Sequence, residues 1–156
     1  EFERFLDLPQ ISDEKFVLAM GHGVGNKRPT EMLESKGWNI IEPDTYLPDY
    51  TTYHEFLSHS KGEWSIAKNG YVTSHSGWFS CRSACYLAAG KPVVVQDTGW
   101  SDHLPSGDGA IAFSTPEEAA KALDLINKNY NHHSAAARAY AEKHFDAARV
   151  CEDLLS

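Results

Sequence analysis

The stretch Ser74-His75-Ser76-Gly77-Trp78-Phe79-Ser80-Cys81-Arg82-Ser83 combines the residue types needed to hold a diphosphate. Glycine lets a ligand approach the backbone closely, and Ser80 is placed to cap a helix whose free N–H groups and positive dipole end favour an anion. The dipole is worth only about 0.3–1 kcal/mol at an exposed site and about 2 when partly buried, so a side chain must add to it. His75 and Arg82 are the available ones. A second candidate is the turn Gly21-His22-Gly23-Val24-Gly25, whose N–H groups around Gly23 could also approach phosphate. It is not a GxGxxG fingerprint and carries little weight alone.

These residues need an α/β frame, and the chain supplies its pattern. Apolar β-type runs at Phe16 to Met20, Trp38 to Ile41, Trp64 to Ala67, Pro92 to Val95 and Ala110 to Phe113 alternate with helical patterns. The fully apolar run from Pro92 reads as a strand buried on both faces. Helices are expected from about Pro29 to Lys36, Tyr53 to Ser60, Ser80 to the Gly90-Lys91-Pro92 stop, and Thr115 to Asn129. Thr115-Pro116-Glu117-Glu118 is a strong helix start, with a cap, a proline at the first position and carboxylates at the positive dipole end. Two further helices follow between Ser134 and Leu155, broken near Phe145-Asp146. The segment with Pro43 and Pro48 reads as a loop. The expected architecture is Rossmann-like, a three-layer α/β/α arrangement with a mostly parallel sheet in a single domain.

Composition narrows the ligand. At 156 residues with 42% hydrophobic and 23% charged side chains, the chain is of globular type and has no apolar run of the ~18 residues a membrane span needs. A net charge of -8 argues against general nucleic-acid binding, so a phosphate ligand requires a local site. Cys81, Cys85 and Cys151 make no CxxC pair and no even framework, which points to a reducing, cytoplasmic setting. Buried free thiols are expected at Cys81 and Cys85, with no metal site. Glu1 in place of methionine reads as a cut in a longer chain.

The motif resembles one half of the two-domain glycosyltransferases called GT-B. Their small-molecule branch carries His-Cys-Gly-Trp-Asn-Ser, two residues and Glu, then an Ala-x-Gly-x-Pro strand entry. Here the corresponding residues are His75-Ser76-Gly77-Trp78-Phe79-Ser80 and Ala88-Ala89-Gly90-Lys91-Pro92. The resemblance implies a carboxyl-terminal, donor-binding domain of a metal-independent glycosyltransferase, with a nucleotide sugar as substrate rather than any cofactor. It places His75 and Ser80 on the diphosphate, and Lys27 and Arg28 beside the first glycine turn as further contacts. It puts Ser83 where the family's ribose glutamate stands, and serine cannot accept both ribose hydroxyls. The loop Gln96-Asp97-Thr98-Gly99 falls where the family meets the donor sugar, making Asp97 and Thr98 hydroxyl contacts. The catalytic base would lie in an amino-terminal acceptor domain, on the same polypeptide or a partner.

Plainer readings stand beside these. His75 can be a loop histidine bonded to backbone, Ser80 a helix cap alone, and Arg82 a solvated first-turn residue. Trp78 and Phe79 read as packing groups, His132-His133 as a solvated turn, and Glu117-Glu118 as dipole partners rather than catalytic acids. A degenerate sugar-nucleotide-binding or interaction module without catalysis, or a nucleotide-sugar epimerase of the same fold, is the alternative to a transferase.

Overall fold

The computed structural model describes residues 1–21 and 28–156. In chain order the elements are β1 (Val17–Ala19), α1 (Thr30–Ser35), β2 (Asn39–Ile41), α2 (Pro43–Tyr46) and α3 (Tyr50–His59). These are followed by β3 (Glu63–Ser65), α4 (Asn69–Thr73), α5 (Cys81–Ala88), β4 (Val93–Gln96), β5 (Ala110–Phe113), α6 (Pro116–Lys128), α7 (Tyr130–His144) and α8 (Ala147–Leu155). The fold is α/β, compatible with a Rossmann-like three-layer arrangement, and every strand pairing is parallel. β1 pairs with β2, while β3, β4 and β5 form a second sheet in that order.

Period-two alternation along β4 assigns the two faces. Val94 faces a core with Phe5, Leu8, Trp38, Phe113 and the small residues Ala119, Ala120 and Ala122 of α6. Val93 and Val95 face the opposite core with Leu87 of α5 and Ala137, Tyr140 and Ala141 of α7. Helices therefore cover both faces, and all four β4 residues are buried. Burying each such valine is worth roughly 1.5–3 kcal/mol.

The helix starts follow their caps. Thr115 and Glu118 form a reciprocal capping box at α6, and Asp49 and Thr52 form another that starts α3 at Tyr50, ahead of the Tyr53 expected from periodicity. α2 occupies part of the segment expected to be a loop, because Pro43 sits in its first turn. The turns at Phe2–Phe5 and Leu8–Gln10 bury Phe5 and Leu8, a contribution the sequence reading had not assigned.

Two expectations fail. His132 and His133 lie inside α7 rather than in a solvated turn, and His133 is buried with its Nδ1 accepting from the Gly109 N–H at 3.3 Å. Cys81, Cys85 and Cys151 are exposed, because α5 turns Ser83, Tyr86 and Leu87 inward and the thiols fall on its outer face. No helix among the described residues is long and apolar enough to cross a membrane.

Candidate functional site

At the carboxyl ends of β3 and β4 lies a pocket of about 360 Å³, where ligands of open α/β sheets bind. Ser65, Ile66 and Ala67 at the end of β3, and Val95 and Gln96 of β4, form its floor. Lys68, Tyr71, Trp78, Ser80 and Arg82 form the rest of the wall. Among the described residues no carboxylate lines it, although the chain as a whole is strongly acidic.

Ser80 caps α5 as expected, its Oγ accepting from the Arg82 N–H at 3.2 Å, so the amino end of this helix opens on the pocket. Arg82 is held from below. Its Nε donates to Glu63 Oε1 and its Nη2 to Ser65 Oγ at 3.1 Å. Burial by itself would lower the guanidinium pKa, but the attraction and hydrogen bond of Glu63 outweigh it and the net shift is upward. Arg82 stays charged, with half its side chain in solvent, while the Glu63 side chain is 5% exposed. Glu63 thus spends part of the positive field that Arg82 could offer a ligand.

Lys68 and Tyr71 were not singled out as site residues by sequence. Lys68 precedes α4 and is exposed, with no ion pair among the described residues. The Tyr71 ring stacks on Trp78 with centroids 4.9 Å apart and planes 13° from parallel. Trp78 is 46% exposed, so the pair offers a flat apolar surface at the pocket wall, whereas Phe79 packs inward on Trp100 and Phe145. The run Lys68-Asn69-Gly70-Tyr71 directly after a strand was the signal that could have marked both residues.

The other expected site residues are placed differently. Thr98 is buried, and its Oγ1 donates to the Trp78 carbonyl at 2.7 Å while its own carbonyl accepts from the Gly77 N–H at 2.8 Å. It straps the Gly77-Trp78 turn to the sheet. Both carboxylate oxygens of Asp97 are engaged, by the Gly99 N–H at 2.9 Å and the Ser101 hydroxyl at 2.6 Å. Gln96 lies within β4, its Oε1 accepting from the Ala67 N–H and its Nε2 donating to Glu1. Ser83 is fully buried on the inner face of α5 with its Oγ unpartnered, and it does not line the pocket. Arg28 pairs with Glu42 at 2.6 Å and does not line the pocket either. Gly23 and Lys27 lie outside the described residues.

His75 also stands outside the pocket lining. Its Nε2 is 3.0 Å from Asp102 Oδ2, and both side chains are mostly exposed. A larger cavity, about 650 Å³, opens between β1 and β3 and shares Arg82 and Ile66 with the smaller pocket. No group of three or more metal-ligating side chains is found among the described residues. Comparison with protein-family models, curated proteins and solved structures returns no match.

Proposed function

We propose that this chain is the donor-binding half of a GT-B-type, metal-independent glycosyltransferase that takes a nucleotide-diphosphate sugar. The observation that carries the reading is the carboxylate-free pocket at the ends of β3 and β4, where the amino end of α5, Lys68 and the outer edge of Arg82 converge. A diphosphate there meets free N–H groups and two cations, and its charge as a leaving group is stabilised by the same groups. The stacked Tyr71 and Trp78 rings offer a surface for a sugar or a base. Transfer to an acceptor then needs a second domain or partner to complete the cleft.

One observation favours the degenerate binding module over a transferase. Ser83 stands where the resemblance places the ribose carboxylate, and it is buried with no polar partner. Calorimetric titration with UDP-, GDP- and dTDP-sugars tests the donor site, and release of nucleoside diphosphate on adding an acceptor domain separates a transferase from a binding module. Saturable binding that weakens about tenfold or more in Lys68→Ala is expected, on the scale of one lost charge-assisted hydrogen bond of about 1.5–3 kcal/mol. No heat of binding from any of these nucleotides at millimolar concentration removes the donor-site reading altogether.

A further inference from the structure

The larger cavity, of about 650 Å³, lies where the two sheets do not join. β1 pairs with β2 and β3 with β4, so among the described residues each strand has one edge without a partner strand, and residues of both strands line the cavity. Its walls are tied together at one end. Glu14, ahead of β1, accepts from Lys61 Nζ, ahead of β3, at 2.5 Å and from Asn127 Nδ2 of α6 at 2.6 Å. The lining is mainly apolar, with the rings of Phe16, Trp38, Tyr53, Phe56 and Trp64 in it, and the volume is that of a small-molecule site.

Two polar atoms in this apolar setting are unmet. Glu63 Oε2 and Trp64 Nε1 are both buried without a hydrogen-bond partner. Both side chains line this cavity, and neither lines the smaller pocket. Native proteins leave few buried polar atoms unpaired, and an acceptor and a donor unpaired in one cavity point to a ligand that supplies their partners. Successive strand residues point to opposite faces, so the acceptor and the donor sit on either side of the gap. Charge argues for a neutral ligand. Arg82 already balances Glu63, and Lys15, Lys61 and Arg82 outnumber the carboxylates Glu14 and Glu63 in the lining, so a second cation would stand uncompensated.

We propose that the cavity between β1 and β3 binds a small, neutral aromatic or alicyclic molecule with a hydrogen-bond donor at one end and an acceptor at the other. The donor meets Glu63 Oε2, the acceptor takes the Trp64 indole N–H, and the apolar body packs on the surrounding rings. This site is separate from the pocket at the ends of β3 and β4, and it does not depend on the glycosyltransferase reading.

The probe is 6-hydroxy-1-tetralone, a phenol with a ketone at its far end, used at mildly acid pH where the hydroxyl is protonated. Calorimetry with the wild-type chain should show saturable binding, and 6-methoxy-1-tetralone, which lacks the donor, should bind about tenfold or more weakly, the scale of one hydrogen bond to a charged group. In isotope-labelled protein the indole N–H resonance of Trp64, identified by its loss in Trp64→Phe, should move downfield on binding. That of Trp100, already bonded to the Gln96 carbonyl at 3.2 Å, should stay in place. Glu63→Gln should weaken the hydroxy ketone about tenfold and leave the methoxy ketone unchanged. Ala19→Phe fills the cavity from an exposed position of β1 and should abolish binding of both. If circular dichroism shows that Glu63→Gln does not fold, the comparison of the two ketones and Ala19→Phe decide. No saturable heat at millimolar probe, equal affinity for the two ketones, or undiminished binding in Ala19→Phe overturns the proposal. So does a resonance shift confined to Trp78, which would put the probe in the smaller pocket.

Discussion

Arg82 shows how one side chain can serve two ends. Its outer edge faces the pocket, while its Nε and Nη2 neutralise the buried Glu63 and bind Ser65. Removing it leaves a carboxylate that is nearly inaccessible to water, one of whose oxygens already lacks a partner. Arg82→Ala is therefore expected to destabilise the fold by about 1–3 kcal/mol, discounted for the half of the arginine side chain that is solvated. Urea denaturation reads this directly, and an unchanged midpoint would show that the pair is only a surface contact. Any loss of ligand affinity in that variant needs correction for the loss of fold. Lys68, exposed and without an ion pair among the described residues, gives the cleaner test of the proposed anion site.

The pocket depends on α5, and α5 depends on α7. The two helices share the core that includes Leu87, Ala137 and Tyr140, and the Gly90 carbonyl accepts from Ser134 at 2.7 Å. The tightest point of this layer is Gly109, whose φ is +81° and where a Cβ would lie 2.5 Å from the Ala137 nitrogen. That neighbour is helix backbone and cannot rotate away. Gly109→Ala is expected to cost more than about 2 kcal/mol, from left-handed strain plus overpacking. Differential scanning calorimetry should show a clear drop in Tm. A variant as stable as the parent would mean that α7 shifts freely on the sheet, and α5 with it.

For the molecule as a whole, alkaline pH tests the same layer. Burial pushes the Tyr140 phenol up to about 12, and its hydroxyl donates to the Pro105 carbonyl at 3.0 Å. The folded pKa is raised above the ordinary tyrosine value near 10, so this contribution is complete below about pH 10. It is lost as pH rises from there through the folded value. Thermal stability should decline over that window, and less steeply in Tyr140→Phe, which has no phenol to ionise. Equal slopes in the two proteins would place the alkaline loss elsewhere.

The strands, most helices and their caps were legible in the sequence because they depend on neighbours within a few residues. Thr115 and Glu118 are three apart, Ser80 caps its own helix, and the apolar run before Gln96 could only be a buried strand. The α/β class follows from that local alternation of periods. Which polar groups remain free for a ligand was not legible, because their partners are distant in the chain. Glu63 takes up part of Arg82 from 19 residues away, Trp78 takes the Thr98 hydroxyl from 20, and Asp102 meets His75 from 27. The same holds for the exposed cysteines and the buried His133, since helical pattern does not say which face a neighbouring helix will cover. Sequence determined the elements and their caps, Ser80 at the start of α5 among them, through local hydrogen bonding and periodicity. Tertiary packing decided which polar side chains open on a pocket and which are taken up in holding the fold.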